Sequence, residues 1–252
     1  MTNEELDSEY SKGLETFRKI VLQAIRLHAK VREMPFQGVA PSARLLFARL
    51  CFISVSLARI CPKLENEKDI WDFATIALLS RSLFESIMFF EYFCETSGPD
   101  EWMAKMYLLN LHDRCDRIRL FTAMDKPLDV AGFTGEAEIL RGLLRNNPFF
   151  AGLEAKRQKE LLKGYKAAFL SLREMGNKFS PDADSWVIYD FLSTYAHSLP
   201  VSFMRNSDDR RDGLQNDVDK MYTPGVLTWL AALLDHARST YLGVPTGMML
   251  ET

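Results

Sequence analysis

The chain has 252 residues, of which 47% are hydrophobic and 26% charged, a composition that excludes a disordered chain. At this length a single domain spanning 1–252 is expected, with a core that needs no disulfide or metal staple. Thirty-one basic against 34 acidic residues leave a net charge of −3, so attraction to nucleic acid or anionic lipid must come from a local patch.

The opening residues Met1 to Glu5 do not read as a signal peptide. From 3 to 33, Tyr10, Leu14, Phe17, Val21, Ala24, His28 and Val31 alternate spacings of four and three, one apolar stripe on a first helix. The run from Met34 to Gly38 ends it, because Pro35 disfavours helix in the residue before it. Pro41 then opens a second helix over 41–64, apolar nearly all round and so expected to be the most enclosed. A third covers 67–94 and is closed by Gly98 and Pro99; a fourth covers 100–124.

The stretch 125–148 is weaker, with a short helix at 136–145. A further helix runs over 153–175 to a stop at Gly176 and Asn177, and another over 184–204, ended or kinked by Pro200. Residues 206–222 read as a polar surface loop. Thr223 and Pro224 then fit the N-cap and first position of a last helix, to 243. No segment alternates with period two, so the expectation is all-α: one bundle of about seven helices, its core at 3–205.

Cys51, Cys61, Cys94 and Cys115 form no C-x-x-C pair and read as reduced core thiols of a cytoplasmic protein. The most apolar stretches, 50–58 and 83–90, are broken or flanked by Arg49, Arg59, Arg81, Glu85 and Glu91. A membrane span needs about 20 apolar residues, so none is expected.

Metal and cofactor motifs are missing. None of His28, His112, His197 and His236 has a Glu three residues before it, as an inward-facing di-iron site requires, and there is no H-E-x-x-H. His112-Asp113 is a bare dipeptide. Phosphate-cradling glycine loops and the G-x-S-x-G elbow are absent, so the expectation is no metal and no cofactor.

Two helices carry unusual polar groups. Arg81 and Glu85 stand four apart in a strongly apolar segment, where charges are costly unless paired. They read either as an internal ion pair or as part of a site. Tyr189, Ser193 and His197 recur every four residues on another helix, with Asp190 at the stripe's edge. An imidazole beside a hydroxyl can serve as general acid or base, or can be a satisfied buried histidine. Lys156, Lys159, Lys163 and Lys166 follow spacings of three, four and three, and so line one helix face. Such a ladder suits a phosphate backbone or is a solvated face.

The R-x-x-x-E of Arg81 and Glu85, followed by Leu172-Arg173-Glu174-Met175 and by Y-x-x-L-S-x-x-x-H from Tyr189 through Leu192 and Ser193 to His197, resembles a bacterial all-helical family of unknown function. The resemblance covers 69–198. That family's bundle is similar to HEPN domains, the helical nuclease and toxin domains of bacterial defence and toxin–antitoxin systems. It implies a metal-independent, RNA- or nucleotide-directed activity with His197 as acid/base, Arg81 as anion stabiliser, and Glu85, Tyr189 and Ser193 around them. HEPN ribonucleases carry R-x(4-6)-H, and here Asp190, Phe191 and Leu192 stand where that arginine would be. Arg81 would then supply the cation from another helix. The other readings are a non-catalytic module that binds a protein partner or itself as a homo-oligomer, and a sensor that encloses a small molecule.

Overall fold

A computed structural model describes residues 2–32, 40–66, 68–95, 97–180, 183–196 and 213–244. Among them are ten helices and no strand, so the chain is all-α, with three more helices than the seven expected. They are α1 (Asn3–Arg32), α2 (Ala40–Ile60), α3 (Phe73–Cys94), α4 (Pro99–Ala123), α5 (Pro127–Asn146), α6 (Pro148–Ala151), α7 (Ala155–Leu161), α8 (Leu172–Phe179), α9 (Ala183–Ala196) and α10 (Asp217–Gly243). The chain divides into two compact units, one of Met1–Cys94 with Leu172–Thr252, the other of Glu95–Ser171.

In the first unit the α1 stripe behaves as its spacing requires: Tyr10, Leu14, Phe17, Val21 and Ala24 are all buried. The central helix is α3 rather than the 41–64 helix, because α3 packs against α2, α8, α9 and α10 while α2 leaves Leu45 and Phe52 in solvent. Its start is set by Asp72, whose carboxylate accepts the Ala74 amide at 3.0 Å as an N-terminal cap. By length and composition α3 could cross a membrane, which corrects the argument from length. About half of that stretch is buried against neighbouring helices.

The last helix begins six residues before Thr223. Asn216 caps it by accepting the Asp219 amide at 2.9 Å, and Pro224 lies inside it. That proline costs a helical hydrogen bond. It packs on α1 at Gly13, where an added Cβ would stand 2.8 Å from the Pro224 Cα. Only glycine permits so close a crossing. Of the 206–222 loop, 217–222 is therefore helical and 213–216 is not, while 206–212 lies outside the described residues.

A buried acid joins α3 to α10. Glu91 is 5% exposed, accepts the Thr240 hydroxyl at 2.9 Å and lies 3.9 Å from His236 Nε2. Burial raises its pKa, against the Thr240 bond and His236. An acid whose folded pKa is raised adds stability below its unfolded value, and loses it as pH rises through the folded value. Glu91→Gln keeps an acceptor for Thr240 and removes the charge. It should raise stability by about 1 kcal/mol at pH 8 and by nothing at pH 4. Urea melts at the two pH values check this, and equal effects at both would contradict it.

The thiols read as core groups are buried at Cys51, Cys61 and Cys115 and half-buried at Cys94. Burial pushes the Cys51 and Cys61 thiols up to about 12.

In the second unit, prolines open α4, α5 and α6 at the first turn, where a missing N–H costs nothing. Lys105, nearly fully buried, is held by Glu101 at 3.2 Å and Glu95 at 3.5 Å. The weak 125–148 stretch is in fact a 20-residue helix, α5. The single helix expected over 153–175 does not form. The chain leaves helix after Leu161 and turns at Gly164, whose φ is 74°. There the Gly164 backbone lies on Cys115, its carbonyl bonds His112 Nδ1 at 2.9 Å, and Arg141 Nε donates to the Leu162 carbonyl at 2.9 Å. The chain resumes as α8, which runs through Gly176 to Phe179. Gly176 is thus not a stop but a contact: the Trp186 ring occupies the place of its missing Cβ.

Candidate functional site

Arg81 and Glu85 lie on one face of α3, one turn apart, and α9 crosses that face at Tyr189. Arg81 Nε donates to Glu85 Oε1 at 2.9 Å, and the Tyr189 hydroxyl donates to the same oxygen at 2.8 Å. Arg81 Nε also approaches the Tyr189 oxygen at 3.3 Å, and its guanidinium lies 5.4 Å from the ring centroid. Three of the expected site residues therefore do converge. The arrangement fixes their charges: burial, then the Glu85 carboxylate, raise the phenol's pKa, so Tyr189 stays protonated. Burial opposes the charge on Arg81, but its bonds to Tyr189 and Glu85 outweigh that and raise its pKa too.

An aromatic cluster holds α9 on α3. The Phe84 ring, fully buried, lies 5.1 Å from Trp229, 5.3 Å from Tyr189 and 5.9 Å from Trp186. Each indole N–H finds a partner, Trp186 on Asn177 at 2.7 Å and Trp229 on Ser185 at 3.1 Å. On the outer side, the Arg173 guanidinium sits 5.4 Å over Trp186. These rings leave Tyr189 little freedom, so its hydroxyl is aimed before any ligand arrives.

The triad opens onto a cleft of about 490 Å³, within the size range of small-molecule sites. Its described lining adds Leu46 and Arg49 from α2, Ser86 and Phe89 from α3, and Leu172 from α8. Arg49 is exposed and makes no hydrogen bond or ion pair among the described residues. Two guanidinium groups against one carboxylate leave the described lining with one net positive charge, beside the half-buried ring of Phe89. A larger furrow of about 800 Å³ runs between α1 and α10. There Lys220 is already bound by Asp7 at 2.5 Å, and the acids Glu5 and Glu9 face solvent.

The other expected residues fall differently. Ser193 lies one turn beyond Tyr189 and donates to the Tyr189 carbonyl at 2.8 Å, a bond internal to α9. His197 lies outside the described residues. Lys156 and Lys159 are on α7, but Lys163 follows its end and pairs with Glu160 at 2.7 Å, and Lys166 is not helical. The four lysines share no helix face, because Gly164 breaks the helix that would have aligned them. All four belong to the second unit. His112 faces the Gly164 carbonyl at 2.9 Å and Asp116 at 3.4 Å. No group of three or more His, Cys, Asp or Glu among the described residues could hold a metal ion.

Arg49 is the residue that periodicity alone passes over. In the sequence it only interrupts an apolar stretch, and its meaning appears once α2 crosses α3. No protein-family model, curated protein or solved structure matches the chain.

Proposed function

We propose that the chain recognises a phosphate-bearing ligand, a nucleotide or an RNA end, in the cleft between α2, α3 and α9. In this reading it is a HEPN-like helical protein of nucleic-acid metabolism or bacterial defence. The observation that carries it is that Arg49, without a polar partner among the described residues, lines the same cleft as the Arg81–Glu85–Tyr189 triad. A paired arginine orients a ligand and an unpaired one supplies the charge. A guanidinium gives a phosphate two parallel donors, and the ring of Phe89 offers a flat apolar wall to a base. His197, next after Ala196 in the sequence, is the proposed acid/base of any cleavage, which would need no metal. Titration with adenosine 5′-monophosphate (AMP) at two salt concentrations tests the binding. Affinity should fall as salt rises, and the absence of binding at low salt would contradict the reading. A folded His197→Ala variant that cleaves RNA as the natural protein does would remove the catalytic part.

A second reading has its own observation in α5. Of its 20 residues only Ala137 and Leu144 are buried, while Leu128 is 88% and Ile139 66% exposed. Gly132, Gly135 and Gly142 share a face with Ile139, and nothing stands within 4 Å of where their Cβ atoms would be. Helical glycines cost about 1 kcal/mol each against alanine, and they let another helix approach closely. Here α5 is proposed as a self-association face, whose occupant is a second copy of the chain. Sedimentation should give a dimer that Ile139→Glu converts to monomer. A protein that stays monomeric at the highest concentration it tolerates would contradict it.

A further inference from the structure

Glu85 is held asymmetrically. Both donors of the triad, Arg81 Nε at 2.9 Å and the Tyr189 hydroxyl at 2.8 Å, end on Oε1. Oε2 carries no hydrogen bond among the described residues, and the side chain, 38% exposed, lines the cleft. A carboxylate fixed at one oxygen and open at the other is a rigid acceptor waiting for a donor. Phosphate oxygens cannot be that donor, because at neutral pH they carry lone pairs and negative charge. The acceptor serves a neutral part of the ligand that bears a donor, and in a nucleotide the group nearest the anion that can donate is a ribose O–H.

We infer that Glu85 Oε2 accepts a ribose hydroxyl, so that the cleft selects ribonucleotides over deoxyribonucleotides, with the phosphate on the Arg49 side. This rests on the phosphate-ligand reading above and adds a specificity residue to it. The hydroxyl group of a nucleotide lies a few bonds from its phosphate, which fits an acceptor and two guanidinium groups in one cleft of about 490 Å³. The apolar walls of Phe89, Leu46 and Leu172 then take the base. A hydrogen bond to a charged acceptor is strong, and leaving that acceptor unmatched forfeits it. The expected preference for the hydroxyl-bearing ligand is roughly tenfold or more.

Glu85→Gln gives a sharper test than deletion. Arg81 and Tyr189 both donate, so the carbonyl of the introduced amide must take the Oε1 position and its NH₂ must take that of Oε2. The open acceptor becomes a donor, and the charge competing with phosphate for Arg81 is gone. Calorimetric titrations with AMP, 2′-deoxy-AMP and 3′-deoxy-AMP read the outcome. The wild-type protein should bind AMP roughly tenfold more tightly than at least one deoxy form. In Glu85→Gln that ratio should shrink, because the charge-assisted bond is replaced by at most a neutral one from the amide NH₂ to the hydroxyl oxygen. Equal binding of all three by the wild-type protein would overturn the inference and leave the phosphate reading standing. A preference that survives Glu85→Gln unchanged would also overturn it. Binding of none would overturn the phosphate reading and this inference together.

Discussion

Arg49→Glu should weaken nucleotide binding by about a hundredfold or more while leaving the melting temperature within about a degree of the natural value. The two effects separate because Arg49 is exposed and touches no polar partner among the described residues, so the fold loses nothing when it goes. The cleft, by contrast, goes from one net positive charge to one net negative charge among its described lining residues. That reversal repels the phosphate as well as removing its donor. Arg49→Lys should give an intermediate loss, because an ammonium keeps the charge but not the two parallel donors. Calorimetry with AMP and thermal melts of the same samples check both halves. Unchanged affinity in Arg49→Glu would place the anion elsewhere.

Phe84→Ala carries the largest expected effect on stability, about 3–5 kcal/mol. The ring has no exposed surface and touches three other aromatic side chains on α9 and α10, so its removal leaves a void that rigid neighbours fill poorly. For a protein of this size the melting temperature should drop by roughly 10 °C. Tyr189 loses one of the rings that aim it, so the surviving folded protein should also bind nucleotide more weakly. A loss below about 1 kcal/mol would mean that the cluster repacks, and that Tyr189 is positioned by its hydrogen bonds alone.

How far the sequence foretells this structure depends on whether a residue's role is local. The α1 stripe is local: five apolar residues at helical spacing meet the core as their phase demands. Arg81 and Glu85 are likewise legible, because charges four apart in an apolar helix imply pairing. Tyr189 stands out by its periodicity with Ser193. What escapes is decided by tertiary contact. Gly164 breaks the 153–175 helix because Cys115 fills the place of its Cβ while the His112 and Arg141 side chains bond the Gly164 and Leu162 carbonyls. Gly176 has the residue type of a helix stop and the job of admitting the Trp186 ring.

Two departures trace to proline and glycine taken at their usual meaning. Pro224 has the pattern of a first helical position, yet Asn216 caps the helix earlier and the proline is absorbed where Gly13 lets α1 approach. The three glycines of α5 hide a long helix, since each lowers helical propensity while Pro127 starts it and α4 supports it. Arg49 escapes for a different reason. Its neighbours Leu45 and Phe52 mark an exposed phase of α2, but only the crossing of α2 and α3 turns that cation toward Arg81 and Tyr189.

The most direct test is an NMR titration that watches the arginine Nε–Hε signals of the natural protein as AMP is added. The signals of Arg49 and Arg81 should move together along one binding curve, and the curve should weaken with added salt. Signals of both arginines that stay in place, whether AMP fails to bind or binds elsewhere on the chain, would contradict the account.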